Sequence, residues 1–172
     1  MQKTTDNTMK IIPLTEAHLA EYAEVIRRSF ATVANDFGYT RENCPTHRSF
    51  VTDEQLRSKI AEKIYPFGCV IDEKIIGLVS FTDQGGGIFE INNMAILPEY
   101  RHMKYGTKLI EFCKAKVVEL GGDTIVISII DESTVLKKWY AANGFIQTGT
   151  QKYDGLLFTV GYMKWTINEV IQ

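Results

Sequence analysis

Between Leu97 and Val117 the chain reads LPEYRHMKYGTKLIEFCKAKV: a proline, a cluster of basic and turn-prone residues, then a strongly amphipathic stretch. These residue types predict a strand ending near Ile96, a ladder broken by Pro98 and a helix starting close to Tyr105. The first N–H groups of such a helix have no intrahelical acceptor, and the helix dipole adds positive potential there. With the charges of Arg101 and Lys104 nearby, residues Arg101 to Thr107 form a candidate anion cradle suited to phosphate. The competing reading is a basic turn that binds nothing. Other phosphate motifs fail: no GxGxxG follows a strand, YGTK lacks the Gly-Lys-Ser/Thr ending of a P-loop, and DQGGGIFE leads into a strand.

The elements around this junction follow from periodicity. A short apolar strand is expected over Met9 to Leu14. Thr15 then caps a helix whose apolar face is Leu19, Tyr22, Ala23, Ile26, Phe30, Val33, Ala34 and Phe37, ended by Gly38. After the turn-rich segment YTRENCPTHRSF, Thr52 and Gln55 form a capping-box pattern for a helix running through Leu56, Ile60 and Ile64. Three strands are expected near Phe67 to Ile71, Ile75 to Thr82 and Ile88 to Ile96, joined as an antiparallel meander by DEK and DQGGG. A helix from Tyr105 to Leu120, the strand TIVISII, a helix from Thr134 to Asn143 and two strands flanking YDG complete the chain. The order is β-α-α-β-β-β-α-β-α-β-β, an α/β (α+β) fold with a mixed, mostly antiparallel central sheet flanked by helices.

Composition bounds the function. With 172 residues and no linker or repeat, residues 9–172 are expected to form one domain, preceded by a disordered polar tail over residues 1–8. A formal charge of −2 offers no general attraction to nucleic acid or an anionic membrane, so any anion is held locally. Cys44, Cys69 and Cys113 show no metal-ligand spacing and suit reduced thiols. No leader or membrane-spanning run is recognisable, and the expectation is a soluble cytoplasmic protein. Asp131 and Glu132 point to opposite sides of an extended backbone and read as a solvated strand end, not a metal site. His47 reads as an exposed loop histidine, and Met163 and Trp165 as core.

The segments EINNMAILPEYRHMKYGTKLIEF and TIVISIIDESTVLKKWYAANGFIQTG resemble the core of the GNAT superfamily of acetyl-CoA-dependent N-acetyltransferases. The resemblance spans roughly Ile75 to the C-terminus, and the family's strand order matches the one above. It implies acetyl-CoA as co-substrate, with its pyrophosphate on a turn of the form Q/R-x-x-G-x-G/A. Arg101 takes the first position and Gly106 the last, so that Arg101, His102, Met103, Lys104, Tyr105, Gly106 and Thr107 would surround the phosphates. Lys104 departs from the pattern where the family has glycine. It could point outward, reach a phosphate with its ammonium, or weaken binding. Ser133 departs where many members carry asparagine on the coenzyme arm, and Lys137 is placed in the same coenzyme-binding set.

The resemblance also implies chemistry. An ammonium must lose a proton before its nitrogen attacks a thioester, and Glu90, on the strand feeding the cradle, matches the family's general-base glutamate. The competing reading is an edge carboxylate in solvent. Backbone N–H groups of Met94, Ala95 and Ile96 would polarise the carbonyl. Tyr140, four residues before Gly144 and five before Phe145, resembles the general-acid tyrosine; alternatively it is a core aromatic. The implied function is direct acetyl transfer to a primary amine, on a small molecule or a peptide. Alternatives are a non-catalytic coenzyme-A-binding regulator on the same fold, or an α/β protein that binds no coenzyme. The segment Phe37 to Phe50, with Tyr39, Cys44 and Pro45, and the hairpin residues Tyr153 and Phe158 are candidates for acceptor specificity. A homodimer through the last strands is left open.

Overall fold

The computed structural model describes residues 8–60 and 64–167, with the side chains of Ile60 and Ile64 outside that description. The polar tail over residues 1–7 and the continuation of the second helix through residues 61–63 lie outside the described residues. The elements are β1 (Lys10–Pro13), α1 (Leu19–Phe37), α2 (Asp53–Ile60), β2 (Ile64–Ile71), β3 (Lys74–Gly85), β4 (Ile88–Ile96), α3 (Tyr105–Glu119), β5 (Thr124–Ile130), α4 (Thr134–Ala142), β6 (Ile146–Lys152) and β7 (Thr159–Thr166). The order is the one read from periodicity. The seven strands form one sheet in the order β1-β2-β3-β4-β5-β7-β6. β4 and β5 are parallel, whereas β1 with β2, β5 with β7 and β6 with β7 are antiparallel.

The chain forms two compact units: residues up to Ser80 together with Asn93–Leu109, and Phe81–Asn92 together with the residues from Ile110 onward. In the first unit a buried cluster gathers Leu14, Leu19, Tyr22, Ala23, Val25, Ile26, Val51, Leu56, Ile75, Leu78, Ala95 and Leu97. Each large apolar side chain removed from water in this way stabilises the fold by about 1.5–3 kcal/mol. The α1 face is the expected one except at its end, where Phe37 is exposed and stacks on Tyr39 at 5.7 Å between ring centroids. Gly38 closes the helix with φ of 69°, a left-handed conformation that glycine adopts without cost. α1 starts later than expected, because Thr15 first caps a single 3₁₀ turn, Glu16–His18, its N–H donating to His18 Nδ1 at 3.0 Å.

The α2 capping box forms as expected. Thr52 N–H donates to Gln55 Oε1 at 3.0 Å and Gln55 N–H donates to Thr52 Oγ1 at 3.2 Å. The expectation that this helix reaches Ile64 is corrected: Ile64 opens β2. Pro66 follows two residues later and biases Tyr65 to extended backbone, while Pro66 C=O accepts from Leu14 N–H at 2.8 Å. His47 is also not an exposed loop residue. It is half-buried, its Nδ1 lies 2.8 Å from Ser49 Oγ, and its ring packs against Tyr39 at 5.3 Å and Phe50 at 6.1 Å. Burial, and secondarily the charge of Arg48, holds its proton affinity below the ordinary histidine value.

The second unit buries Phe81, Phe89, Ile110, Val117, Ile125, Ile127, Phe145, Met163 and Trp165, so the expectation for Met163 and Trp165 stands. Phe81 and Phe89 meet edge to face at 6.0 Å. All three cysteines are free and buried. Burial pushes the Cys69 thiol up to about 11 and raises Cys113 as well. Among the described residues no group of three His, Cys, Asp or Glu side chains is placed to hold a metal, and no helix is long and apolar enough to cross a membrane.

Gly77 on β3 leaves no room for a side chain: an added Cβ would lie 2.7 Å from the Ala95 carbonyl oxygen on β4 and would also meet the Ile96 side chain. Backbone cannot yield as a flexible side chain can, so Gly77→Ala is expected to destabilise the protein by about 1–3 kcal/mol in denaturant titration. Gly149→Ala, where nothing lies within 4 Å, is the control and should stay within about 0.5 kcal/mol.

Candidate active site

The cradle is built by the way β4 gives way to α3. Leu97 N–H donates to Ile76 O at 2.8 Å as the strand ends, and Pro98–Tyr100 make a single 3₁₀ turn. The chain then passes through two left-handed residues, His102 at φ 65° and Lys104 at φ 64°. Lys104 C=O accepts the first bond of α3, from Lys108 N–H at 3.1 Å. No backbone N–H from His102 to Thr107 donates to an acceptor among the described residues. Six successive donors at the positive end of a 15-residue helix suit the oxygens of a pyrophosphate.

Two residues of this turn behave differently from a simple charge cluster. Arg101 is half-buried and faces back into its own unit. Its Nε donates to Ile96 O at 3.1 Å, Nη1 to Thr32 Oγ1 at 3.0 Å and Nη2 to Ser29 O at 2.8 Å. The guanidinium thus ties the turn to α1, and reaching a phosphate would require breaking all three bonds. At Lys104 the positive φ supplies a reason for the family's glycine beyond space for the ligand. The backbone there is one that glycine adopts freely and an L side chain adopts at a cost. The Lys104 and His102 side chains are exposed, Met103 is 55% exposed, and Tyr105, Gly106 and Thr107 are half-buried.

Along the strand feeding the cradle, Met94 and Ile96 are half-buried and Ala95 is buried. Asn93 is buried beside them. Its Nδ2 donates to Ser80 Oγ at 3.1 Å, while its Oδ1 has no partner.

Glu90 belongs to the second unit, and strand register decides what surrounds it. Glu90 stands opposite Val126 in the β4–β5 ladder, and Ser128 opposite Tyr162 in the β5–β7 ladder. Directly opposed residues share a face, and Val126 and Ser128 are two apart, so all four line one side of the sheet. A groove of about 370 Å³ opens on that side, lined by Glu90 with Gln84, Val126, Ile127, Ser128, Thr148, Tyr162 and Met163. Gln84 Nε2 donates to Glu90 Oε2 at 2.9 Å, and Glu90 Oε1 receives no donor among the described residues. Glu90 is half-buried, so the edge-of-sheet carboxylate is not simply lost to solvent.

Tyr162 Oη lies 2.6 Å from Tyr153 Oη. That bond, with burial and the negative field of Glu90, raises the Tyr162 phenol above its ordinary value and keeps its proton on.

Tyr140, Ser133 and Lys137 do not line this groove. Tyr140 is 6% exposed, in edge contact with Trp139 at 4.9 Å and Phe145 at 5.4 Å. Burial raises its phenol well above the ordinary range, so it is protonated at any working pH. Ser133 sits half-buried at the N-cap of α4, where its C=O accepts from Lys137 N–H at 3.0 Å and its side chain caps nothing.

Glu132 is exposed, as read, whereas Asp131 is half-buried, and both carboxylates have partners. Asp131 pairs with Lys137 Nζ at 2.5 Å and accepts from Gln147 Nε2 at 2.9 Å. Glu132 accepts from Thr159 N–H with both oxygens, at 2.9 and 3.1 Å. Lys137 therefore reaches any ligand with its charge already matched. Gln84 and Tyr162 escaped the sequence reading, although the alternation of TVGYMKWT opposes Tyr162 to the buried Met163 and Trp165 and was the available signal.

A mixed sheet of this strand order, with an amide cradle at the β4–α3 junction, defines an acyltransferase fold. Residues 35–166 match the family model described as an acetyltransferase (GNAT) domain, and the chain belongs to that family. Acetyl-CoA is accordingly its co-substrate. Among solved structures it is similar to the PaiA N-acetyltransferase of Thermoplasma acidophilum in complex with coenzyme A, at 21% identity and a TM-score of 0.76. That match covers 92% of this chain and 99% of the other. It is similar in fold to the ribosomal-protein-S18-alanine N-acetyltransferase of Escherichia coli, at 14% identity and a TM-score of 0.75, covering 93% and 94% of the two chains. A chimera of the spermidine N-acetyltransferase SpeG of Vibrio cholerae with hSSAT matches at 16% identity and a TM-score of 0.72, covering 94% and 96%.

Two substitutions test this geometry. Lys104→Gly should relieve the left-handed strain and raise the melting temperature by about 2–4 °C, read by calorimetry. The Thr159 N–H bonds hold the Glu132 carboxyl below the ordinary carboxylate range. Its contribution to stability is therefore complete above the unfolded-state value and fades as pH falls through the lower folded one. Glu132→Gln should lower the melting temperature at pH 7 and flatten its decline in acid.

Proposed function

We propose that the chain moves the acetyl group of acetyl-CoA directly to the nitrogen of a primary amine, with Glu90 as the general base. The observation that carries this reading is the state of the Glu90 carboxylate. One oxygen is oriented by Gln84 and the other faces a groove without a competing donor. A base so held can take a proton from an ammonium brought within hydrogen-bond reach. The amine nitrogen then forms its bond to the acetyl carbon, the carbon–sulfur bond breaks, and the departing sulfur takes a proton.

Tyr140 is the proposed donor of that last proton. Its raised proton affinity keeps it in the acid form, and its phenol must meet the sulfur from within an aromatic cluster. The N–H groups of His102 to Thr107 are proposed to hold the pyrophosphate, and those of Met94 to Ile96 to polarise the carbonyl. Ser133 and Lys137 remain proposals for the coenzyme arm. Two of the similar structures are of a ribosomal-protein-S18-alanine N-acetyltransferase and a spermidine N-acetyltransferase chimera, which supports nitrogen as the accepting atom here.

The test is release of coenzyme A thiol from acetyl-CoA in the presence of a broad panel of amines, with acetyl-CoA binding measured separately by calorimetry. Glu90→Gln should lower turnover about 10²-fold or more, with the largest deficit at low pH, and leave acetyl-CoA affinity unchanged. Unchanged turnover would move the base elsewhere. Binding without turnover on any amine would favour a coenzyme-A-binding regulator.

A further inference from the structure

The spacing from Tyr140 to Gly144 and Phe145 has a backbone cause. Asn143 caps α4, and Gly144, at φ 85°, turns the chain back. Phe145 N–H then donates to Tyr140 O at 3.1 Å and Gly144 N–H to Ala141 O at 3.0 Å, the paired bonds of a left-handed glycine cap. The apolar contact that accompanies such a cap is the Phe145 ring against the Tyr140 ring, at 5.4 Å. One turn therefore fixes the Tyr140 backbone and the ring that packs on its side chain.

The last carbonyls of a helix have no partner within it and lie at the negative end of its dipole. α3 supplies the partner here: Lys114 Nζ donates to Asn143 O at 2.6 Å. The same ammonium lies 5.2 Å from the centre of the Trp165 ring and 5.9 Å from that of Phe145. It thus engages both the cap and the aromatic ring that the cap sets against Tyr140. A lysine serving only solubility keeps its head in water, whereas Lys114 is half-buried and its ammonium has exchanged water for a carbonyl and two ring faces.

On the reading of Tyr140 as the acid, which this rests on, we propose that Lys114 is a positioning residue for it. The ammonium clamps the end of α4 and the Phe145 ring, and so fixes the direction from which the Tyr140 phenol meets the departing sulfur. Lys114 moves no proton and acts through the cap alone. Displacing a reacting group by about 1 Å can cost about a hundredfold in rate, so a loosened cap is felt at the chemical step before it is felt in binding.

The experiment is a double-mutant cycle between the two residues, read as kcat for thiol release with the best amine of the panel, with acetyl-CoA affinity measured by calorimetry. Lys114→Met keeps the apolar stem and removes the donor and the charge. It should lower kcat about fivefold to twentyfold at unchanged acetyl-CoA affinity, and Lys114→Arg should recover kcat to within about threefold. In a Tyr140→Phe background the same Lys114→Met change should alter kcat by less than about twofold, because the group it aims is gone. Equal fractional losses in both backgrounds would mean that Lys114 serves the fold at large, and would overturn the proposal. So would an unchanged kcat in folded Lys114→Met when Tyr140→Phe is slowed. Should Lys114→Met not fold, Lys114→Gln, with a donor but no charge, is put through the same comparisons. Undiminished kcat in Tyr140→Phe would remove Tyr140 as the acid and this role of Lys114 with it, leaving Glu90 as the base.

Discussion

The guanidinium of Arg101 holds the turn that carries the row of unpaired amides from His102 to Thr107. Its three donors span from the end of β4 to two positions on α1, so the turn cannot shift along the strand without breaking the guanidinium's bonds to Ile96 O, Thr32 Oγ1 and Ser29 O. Hydrogen bonds from a charged donor contribute about 1.5–3 kcal/mol each, enough to hold two left-handed residues that the chain would otherwise avoid. Burial lowers the proton affinity of Arg101, the expected sign for a cation withdrawn from water. What this arrangement maintains is a row of amides with nothing to bond.

On the Glu90 side the corresponding constraint is strand register. Opposed pairs in two ladders place a carboxylate, a phenol and a serine on one face, and a slip of a single residue would send all of them to the other. β6 meets β7 with a register shift between Gln147 and Gly149, which is where Thr148 sits. The irregularity re-aims a side chain beside the groove, a common use of a bulge. The Glu90 groove is therefore defined by β-pairing, and the amide row by a helix start.

Much of this was legible beforehand, and the exceptions have physical causes. The element order followed from alternation and helical spacing, and Gly38 and Thr52 punctuated it where the structure does. Ile64 misled because its spacing from Leu56 and Ile60 continues a helical face, whereas Pro66 two residues on favours extended backbone at Tyr65. The three acceptors of Arg101 were invisible because two of them, on Ser29 and Thr32, lie 72 and 69 residues away. Gln84 and Tyr162 were missed because cross-strand partners depend on register, which a local pattern does not contain. The partners of Asp131 and Glu132 were missed because Lys137, Gln147 and Thr159 approach them only once α4 and the last hairpin have formed.

The burial of all three cysteines has a practical meaning. Cys69 and Cys113 have no exposed surface and Cys44 is 5% exposed, with two of the thiols further held in the unreactive protonated form. A colorimetric disulfide reagent added to the native protein meets almost none of its sulfur. Colour that develops during turnover counts coenzyme molecules, and a sudden excess over them signals that the fold has opened.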